Sequence, residues 1–300
     1  MSRLHDPIQE GLKRGWQVLG GAYGTRPEKM VCDVAIIGSG AGAGISAELL
    51  TRAGLKVVIV EEGPLQSSAD FNQKEVEAYA SLYQEGGVRK TKDKGINILQ
   101  GRCVGGSTSV NWTSSFRTPA GTLAYWQEHY GLMDYTNDGL APYFQQAETR
   151  LSITPWLTPP NENNDVLRRG AAKLGIPAAA ILRNVKGCWN LGSCGMGCPT
   201  NAKQSMLVTT LPAALEKGAI LLVETRAEQF EIAEGRVQSV RCIAVKPNSA
   251  PVEYGSKATK IIASDLSRCI AMVGSRNPTP QGAANARQFA QHFSAAGLTV

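Results

Sequence analysis

Residues 33–63, DVAIIGSGAGAGISAELLTRAGLKVVIVEEG, constrain this chain more than any other stretch. Val34, Ala35, Ile36 and Ile37 form an apolar run without charge, the pattern of a strand buried on both faces. A turn containing Gly38, Gly40, Gly42 and Gly44 follows, then an amphipathic helix predicted over Ala43–Ala53 and closed by Gly54 at its C′ position. Val57–Val60 is a second apolar strand that ends on Glu61. The result is a βαβ unit whose turn reads G-x-G-x-x-A at Gly38, Gly40 and Ala43. Gly38 lets the chain turn sharply, Gly40 lets a pyrophosphate approach the backbone, and Ala43 keeps the helix close to the strand. The helix N-terminus offers free N–H groups and the positive end of its dipole, which brings Ala41 and Gly42 into the candidate site. Glu61 is expected to accept hydrogen bonds from ribose hydroxyls. The unit alone does not say which dinucleotide is bound.

A second glycine-rich loop lies at residues 101–112, GRCVGGSTSVNW. Gly105 and Gly106 can present bare N–H groups, and Ser107 and Thr108 can donate hydroxyls. By composition alone an ordinary loop accounts for this stretch equally well. Taken together, the unit at Gly38–Gly63 and the run Gly101-Arg102-x-Val104-Gly105-Gly106-Ser107-Thr108-x-Val110-Asn111 resemble the flavin-dependent glucose–methanol–choline oxidoreductases. The resemblance implies an α/β fold: a Rossmann-like FAD-binding βαβ domain interleaved with part of a substrate domain over residues 31–264. It implies that the second loop lines the flavin, with Arg102, Gly105, Gly106, Ser107 and Asn111 as FAD contacts. Some relatives bind the flavin covalently through a histidine in or near this loop. No histidine stands here, so the resemblance implies non-covalent FAD and oxidation of the CH–OH group of a small-molecule alcohol. An NAD-dependent dehydrogenase is the alternative that the loop at 101–111 disfavours.

The net charge of +6 and the pI of about 8.9 raise the question of nucleic acid or anionic lipid. The densest basic cluster, Arg89, Lys90, Lys92 and Lys94, is interrupted by Asp93 and reads as a solvated surface, so nucleic acid is not an expected partner. The N-terminus has no apolar h-region and no run approaches a membrane span. A cytoplasmic protein with reduced thiols is therefore expected. Residues 1–30 read as a leader, an amphipathic turn or helix (Ile8, Leu12, Trp16, Leu19) and a glycine-rich link that packs on the domain.

The seven cysteines include the run Cys188-x5-Cys194-x3-Cys198-Pro199-Thr200-x-Ala202-Lys203. An iron–sulfur cluster needs four ligands at tighter spacing, and zinc also lacks a fourth ligand nearby, so a structural thiol cluster is expected and no metal. An element of this kind also occurs in bacterial members of the resembled family, which favours the structural reading. Ile220–Val223, Gln229–Ala233, Val237–Val245 and Ala258–Ala263 are predicted as strands of a β meander.

The family pattern ends near Ser264. In the resembled family a later segment carries the histidine that deprotonates the alcohol. His5, His129 and His292 are the only histidines here, and none sits where a base can be argued, so no catalytic residue is assigned and an inactive, truncated chain is expected. Residues 265–300 read as a partial Rossmann-like βα fragment: a strand at Cys269–Val273 expected to lack its parallel partner, a turn, and a helix with Thr279 and Pro280 at N-cap and N1. Residues 268–300 resemble the start of the Rossmann-like domain of the DNA-processing protein A family. This implies a fusion joined near residues 264–268, with a single-stranded DNA-binding module as the alternative reading of the C-terminal fragment.

Overall fold

Asp6 starts the first element. Its carboxylate accepts the N–H groups of Ile8 and Gln9 and caps helix α1 (Pro7–Lys13), with a proline at the first helical position. The computed structural model describes residues 4–234, 236–246, 258–263 and, as backbone, 271–273. In chain order the further elements are β1 (Gln17–Leu19), β2 (Lys29–Cys32), β3 (Val34–Ile37), α2 (Ala41–Arg52), β4 (Val57–Val60) and α3 (Glu75–Leu82). Then come β5 (Ser114–Ser115), α4 (Ala120–Tyr130), α5 (Asn137–Arg150), β6 (Ile153–Pro155), α6 (Glu162–Lys173), β7 (Leu182–Asn184) and α7 (Thr210–Glu216). The chain continues through β8 (Ile220–Leu222), β9 (Thr225–Ala233), β10 (Arg236–Ala244), β11 (Thr259–Ala263) and β12 (Ala271–Val273).

Strand β4 shows why the domain has three layers. All four of its residues are buried, and they alternate between two cores. Val57 and Ile59 join Ile36, Ala43, Ala47 and Leu211 on the side of α2 and α7. Val58 and Val60 join Met30, Cys32, Val240, Cys242 and Ile261 from the other sheet. The central sheet has the order β1-β8-β4-β3-β12 and is parallel throughout, so its strands need no polar face. The covering sheet has the order β2-β11-β10-β9, antiparallel except where β2 pairs with β11. A small antiparallel sheet, β5-β7-β6, packs with α5, and neither α5 nor α6 buries a residue. No helix among the described residues is long and apolar enough to cross a membrane.

The α/β, Rossmann-like reading of residues 33–63 holds, with α2 starting at Ala41, two residues earlier than its pattern predicts. Three expectations change. Residues 220–222 are not part of the meander; β8 slots between β4 and β1, because its apolar side chains are buried on both faces there. The leader does more than pack on the surface, since β1 forms the edge of the central sheet in register with β8. The strand expected to lack a parallel partner has one: Ala271–Val273 pairs with Ala35–Ile37, taking the edge of β3 left open by the sheet order. The junction at 264–268 and the helix read from Thr279 lie outside the described residues.

Candidate dinucleotide site

The first glycine turn is held from below by Glu61. Gly38 leaves β3 with φ 89° and donates its N–H to Val60 O at 2.7 Å. Ser39, fully buried, places both its N–H (3.0 Å) and its hydroxyl (2.5 Å) on Glu61 Oε2, while Gly63 donates to Glu61 Oε1 at 2.7 Å. Glu61 is therefore a strut within the protein. Burial raises its pKa, and the bonds from Ser39 and Gly63 work against that rise. Replacing Glu61 by Ala strips the acceptors from two buried amides. The melting temperature of Glu61→Ala is expected to fall by roughly 4–8 °C in a thermal scan, from a loss of about 2 kcal/mol. An unchanged melting temperature would mean that the strut carries no load.

The second loop meets the first through Ser39 as well. Gly105, at φ 87°, donates its N–H to Ser39 Oγ at 3.0 Å. Gly106, at φ 54°, lies so close that a Cβ built on it would stand 2.9 Å from Gly40 Cα. The backbones of the two loops are thus in contact, and only glycine fits at this crossing. Ser107 Oγ accepts the N–H of Gly101 at 3.0 Å, closing the second loop on itself. Asn111 is exposed and its Oδ1 accepts the Thr113 N–H at 3.3 Å.

The structure brings Gly38, Gly40, Ala41, Gly42, Ala43, Gly105, Gly106 and Ser107 together around one helix end. Gly40 is the N-cap of α2 and has no side-chain capping bond, so the first amides of the helix keep their donors. Ala41 and Gly42 are exposed, and a Cβ at Gly42 would meet no protein atom within 4 Å. Arg102 does not join them. It is buried and binds the Glu62 carboxylate (3.2 Å), Glu62 O (3.0 Å) and Lys246 O (3.1 Å). Arg226 binds the same Glu62 carboxylate at 2.8 Å. Burial pushes the Glu62 carboxyl up, but the two guanidinium groups, Arg226 first, outweigh it and hold it below its ordinary value. This ion-pair cluster fastens the start of the second loop to the end of β10.

Sequence reasoning missed Ser39, Glu62, Arg226 and, as an anchor, Lys203. Ser39 carries one signal, a small hydroxyl between two glycines at a strand end. Cys194 Sγ meets Arg183 Nη2 at 3.5 Å, Cys198 Sγ meets the Thr200 hydroxyl at 3.4 Å, and Cys188 Sγ accepts the Asn190 N–H at 3.3 Å. Each of the three sulfurs thus has its own polar partner. Among the described residues no group of three or more His, Cys, Asp or Glu side chains is placed to hold a metal ion.

Residues 79–268 match the family model described as GMC oxidoreductase. The chain belongs to the GMC oxidoreductase family. This GMC chain is 33% identical over 230 residues to a long-chain-alcohol oxidase of Arabidopsis thaliana, covering 75% of this chain and 31% of that protein. It is 35% identical over 213 residues to an uncharacterized GMC-type oxidoreductase of Sinorhizobium fredii, covering 71% of this chain and 42% of that protein. Among solved structures it shares the fold of a pyridoxine 4-oxidase, with a TM-score of 0.59 at 15% identity over 81% of this chain and 49% of that one. A formate oxidase gives a TM-score of 0.56 at 15% identity, over 82% of this chain and 46% of that one. The chain thus spans 31–42% of these curated relatives and under half of the solved chains. FAD is the cofactor of the GMC fold, and the residues present fit it: an uncapped, exposed helix end at Gly40–Gly42, walled by a second backbone that glycine alone allows so close.

Proposed function

We propose that this chain binds FAD non-covalently and serves oxidation of the CH–OH group of a small-molecule alcohol. The observation that carries the reading is the meeting of the two glycine loops, Gly40 against Gly106, beside the uncapped N-terminus of α2. The amides of residues 41 and 42 and the helix dipole would hold the diphosphate, while Gly105, Gly106, Ser107 and Asn111 would line the rest of the cofactor. FAD supplies the hydride acceptor when bound. The absence of histidine from residues 101–112 supports non-covalent attachment, and the second loop disfavours NAD. The alcohol class is supported by the names of the long-chain-alcohol oxidases to which the chain is similar. Acid precipitation of the purified, FAD-loaded chain tests the reading. A flavin spectrum in the supernatant supports it. Flavin in the pellet, or nicotinamide in the supernatant, overturns it.

Turnover also needs a base within hydrogen-bond reach of the alcohol. His5 is exposed and pairs with Glu10 at 2.8 Å, and His129 on α4 stacks on Tyr125 and meets its carbonyl at 3.1 Å. Neither bonds to a glycine loop. Dye-linked assays with primary alcohols are therefore expected to stay at background for this chain with FAD added. Turnover that survives replacement of all three histidines would reveal a base among other side chains.

A further inference from the structure

We propose that Lys203 is the positioning residue for the flavin-side loop, and that the cysteine-rich stretch is folded around its ammonium rather than around its thiols. The proposal rests on the FAD reading above. Lys203 is 3% exposed, and its Nζ reaches three carbonyls: Ser109 O at 2.9 Å, Asn111 O at 2.8 Å and Cys194 O at 2.6 Å. An ammonium has three donors and no acceptor, so three carbonyls satisfy it completely. No carboxylate bonds to it among the described residues, so the three carbonyl bonds are what offset the cost of burying the charge.

The three carbonyls belong to two loops far apart in the chain. Ser109 and Asn111 end the second glycine loop, and Cys194 lies in the Cys-x3-Cys turn. The intervening Val110 carbonyl faces the Tyr83 hydroxyl at 3.4 Å, and the same hydroxyl reaches Gly195 O at 2.7 Å. Consecutive carbonyls 109, 110 and 111 are thus all turned toward buried side-chain donors, which sets the orientation of the peptides that precede and follow them. A fourth tie runs from Met206 N–H to Thr108 Oγ at 3.0 Å. Met206 and Thr210 also pack on Gly44, so the segment that carries Lys203 bears on both glycine loops. The sequence element C-P-T-x-A-K thereby gains a purpose: Cys198 Sγ accepts the Lys203 N–H at 3.5 Å and fixes the turn from which the lysine springs.

Burial pushes the Lys203 ammonium down to about 8, and the groups that face it are the Cys194, Cys198 and Cys103 thiols and the Arg183 guanidinium. Neutral Lys203 keeps two donors for three carbonyls, so the loop loses a tie as pH rises through that value. The lysine's own contribution to global stability moves the other way there, because its folded value lies below its ordinary 10.5. Weakened FAD binding across pH 8 is therefore not loss of the fold.

FAD affinity, read by quenching of flavin fluorescence, is expected to weaken severalfold between pH 7 and pH 9 in the wild-type chain. Lys203→Met is expected to bind FAD at least tenfold more weakly at pH 7 and to lose that pH step, and Lys203→Arg to recover part of the affinity. A folded Lys203→Met with wild-type affinity, or a wild-type affinity that is flat from pH 7 to 9, overturns the proposal. Hydrogen exchange over residues 103–113 without cofactor separates this from the FAD reading. Faster exchange there in Lys203→Met supports the positioning role even if the wild type binds no FAD, and unchanged exchange overturns it.

Discussion

Gly106→Val is expected to weaken FAD binding by roughly 10–100-fold, while Gly42→Ala weakens it without harm to the fold. Gly106 sits at φ 54°, where a β-branched residue is strained by about 1–3 kcal/mol; a free loop that sheds this strain by moving must take it up again to bind, at about one to two decades in the binding constant. Its Cβ would also stand 2.9 Å from Gly40 Cα, a backbone atom that cannot swing aside, so the two loops must part. Gly42 is the opposite case. Its Cβ would meet no protein atom within 4 Å, and alanine in a helix is favoured over glycine by about 0.5–1 kcal/mol. Gly42→Ala should therefore hold or raise the melting temperature. Its weaker binding would come only from a ligand at that helix end. Fluorescence titration of both variants, with a thermal scan of each, decides the matter. A Gly42→Ala chain that binds FAD as well as wild type would remove the diphosphate from the N-terminus of α2.

The second large effect is alkaline destabilisation by two buried thiols. Burial pushes Cys103 and Cys242 from 9.0 up to about 12. A thiol whose folded value lies above its unfolded one contributes stability that is present below pH 9 and is lost as pH rises toward 12. At about 1.4 kcal/mol per pH unit each thiol is worth about 4 kcal/mol. Tyr83 is raised to about 12 by the same cause and acts in the same direction. Lys203, lowered to about 8, acts in the opposite direction between about pH 8 and 10.5, at about 3 kcal/mol. Stability is therefore expected to be nearly level to about pH 9 and to fall steeply above pH 10. Urea midpoints at pH 8, 9, 10 and 11 measure it. The Cys103→Ala, Cys242→Ala double variant should start less stable, because both side chains fill a core, yet fall less with pH. A wild-type midpoint that stays level to pH 11 would sink the argument.

Much of this protein was legible in its sequence because the signals are local. An apolar run from Val34 to Ile37, a glycine turn, a helical period and a second apolar run give β3, α2 and β4, since strand burial and turn conformation depend on neighbours a few residues away. The antiparallel pairing of β9 with β10 fits the meander read from their alternation. The glycines at 105 and 106 allowed bare backbone N–H groups there, but composition alone did not separate that from an ordinary loop.

What only the tertiary structure decided are the partners that come from far along the chain. Nothing near Glu61 says that it reaches back to Ser39, 22 residues earlier. Nothing near Arg102 says that its guanidinium is taken up by Glu62 and Lys246. An apolar run such as Ile220–Leu222 fits a meander and a buried parallel sheet equally well, and the choice fell to which sheet had a place with two apolar faces. Lys203 reads as one more surface cation until the fold places three carbonyls around it, two of them more than ninety residues away. A side chain's burial and its hydrogen-bond partners are properties of the assembled core, and no window of sequence contains them.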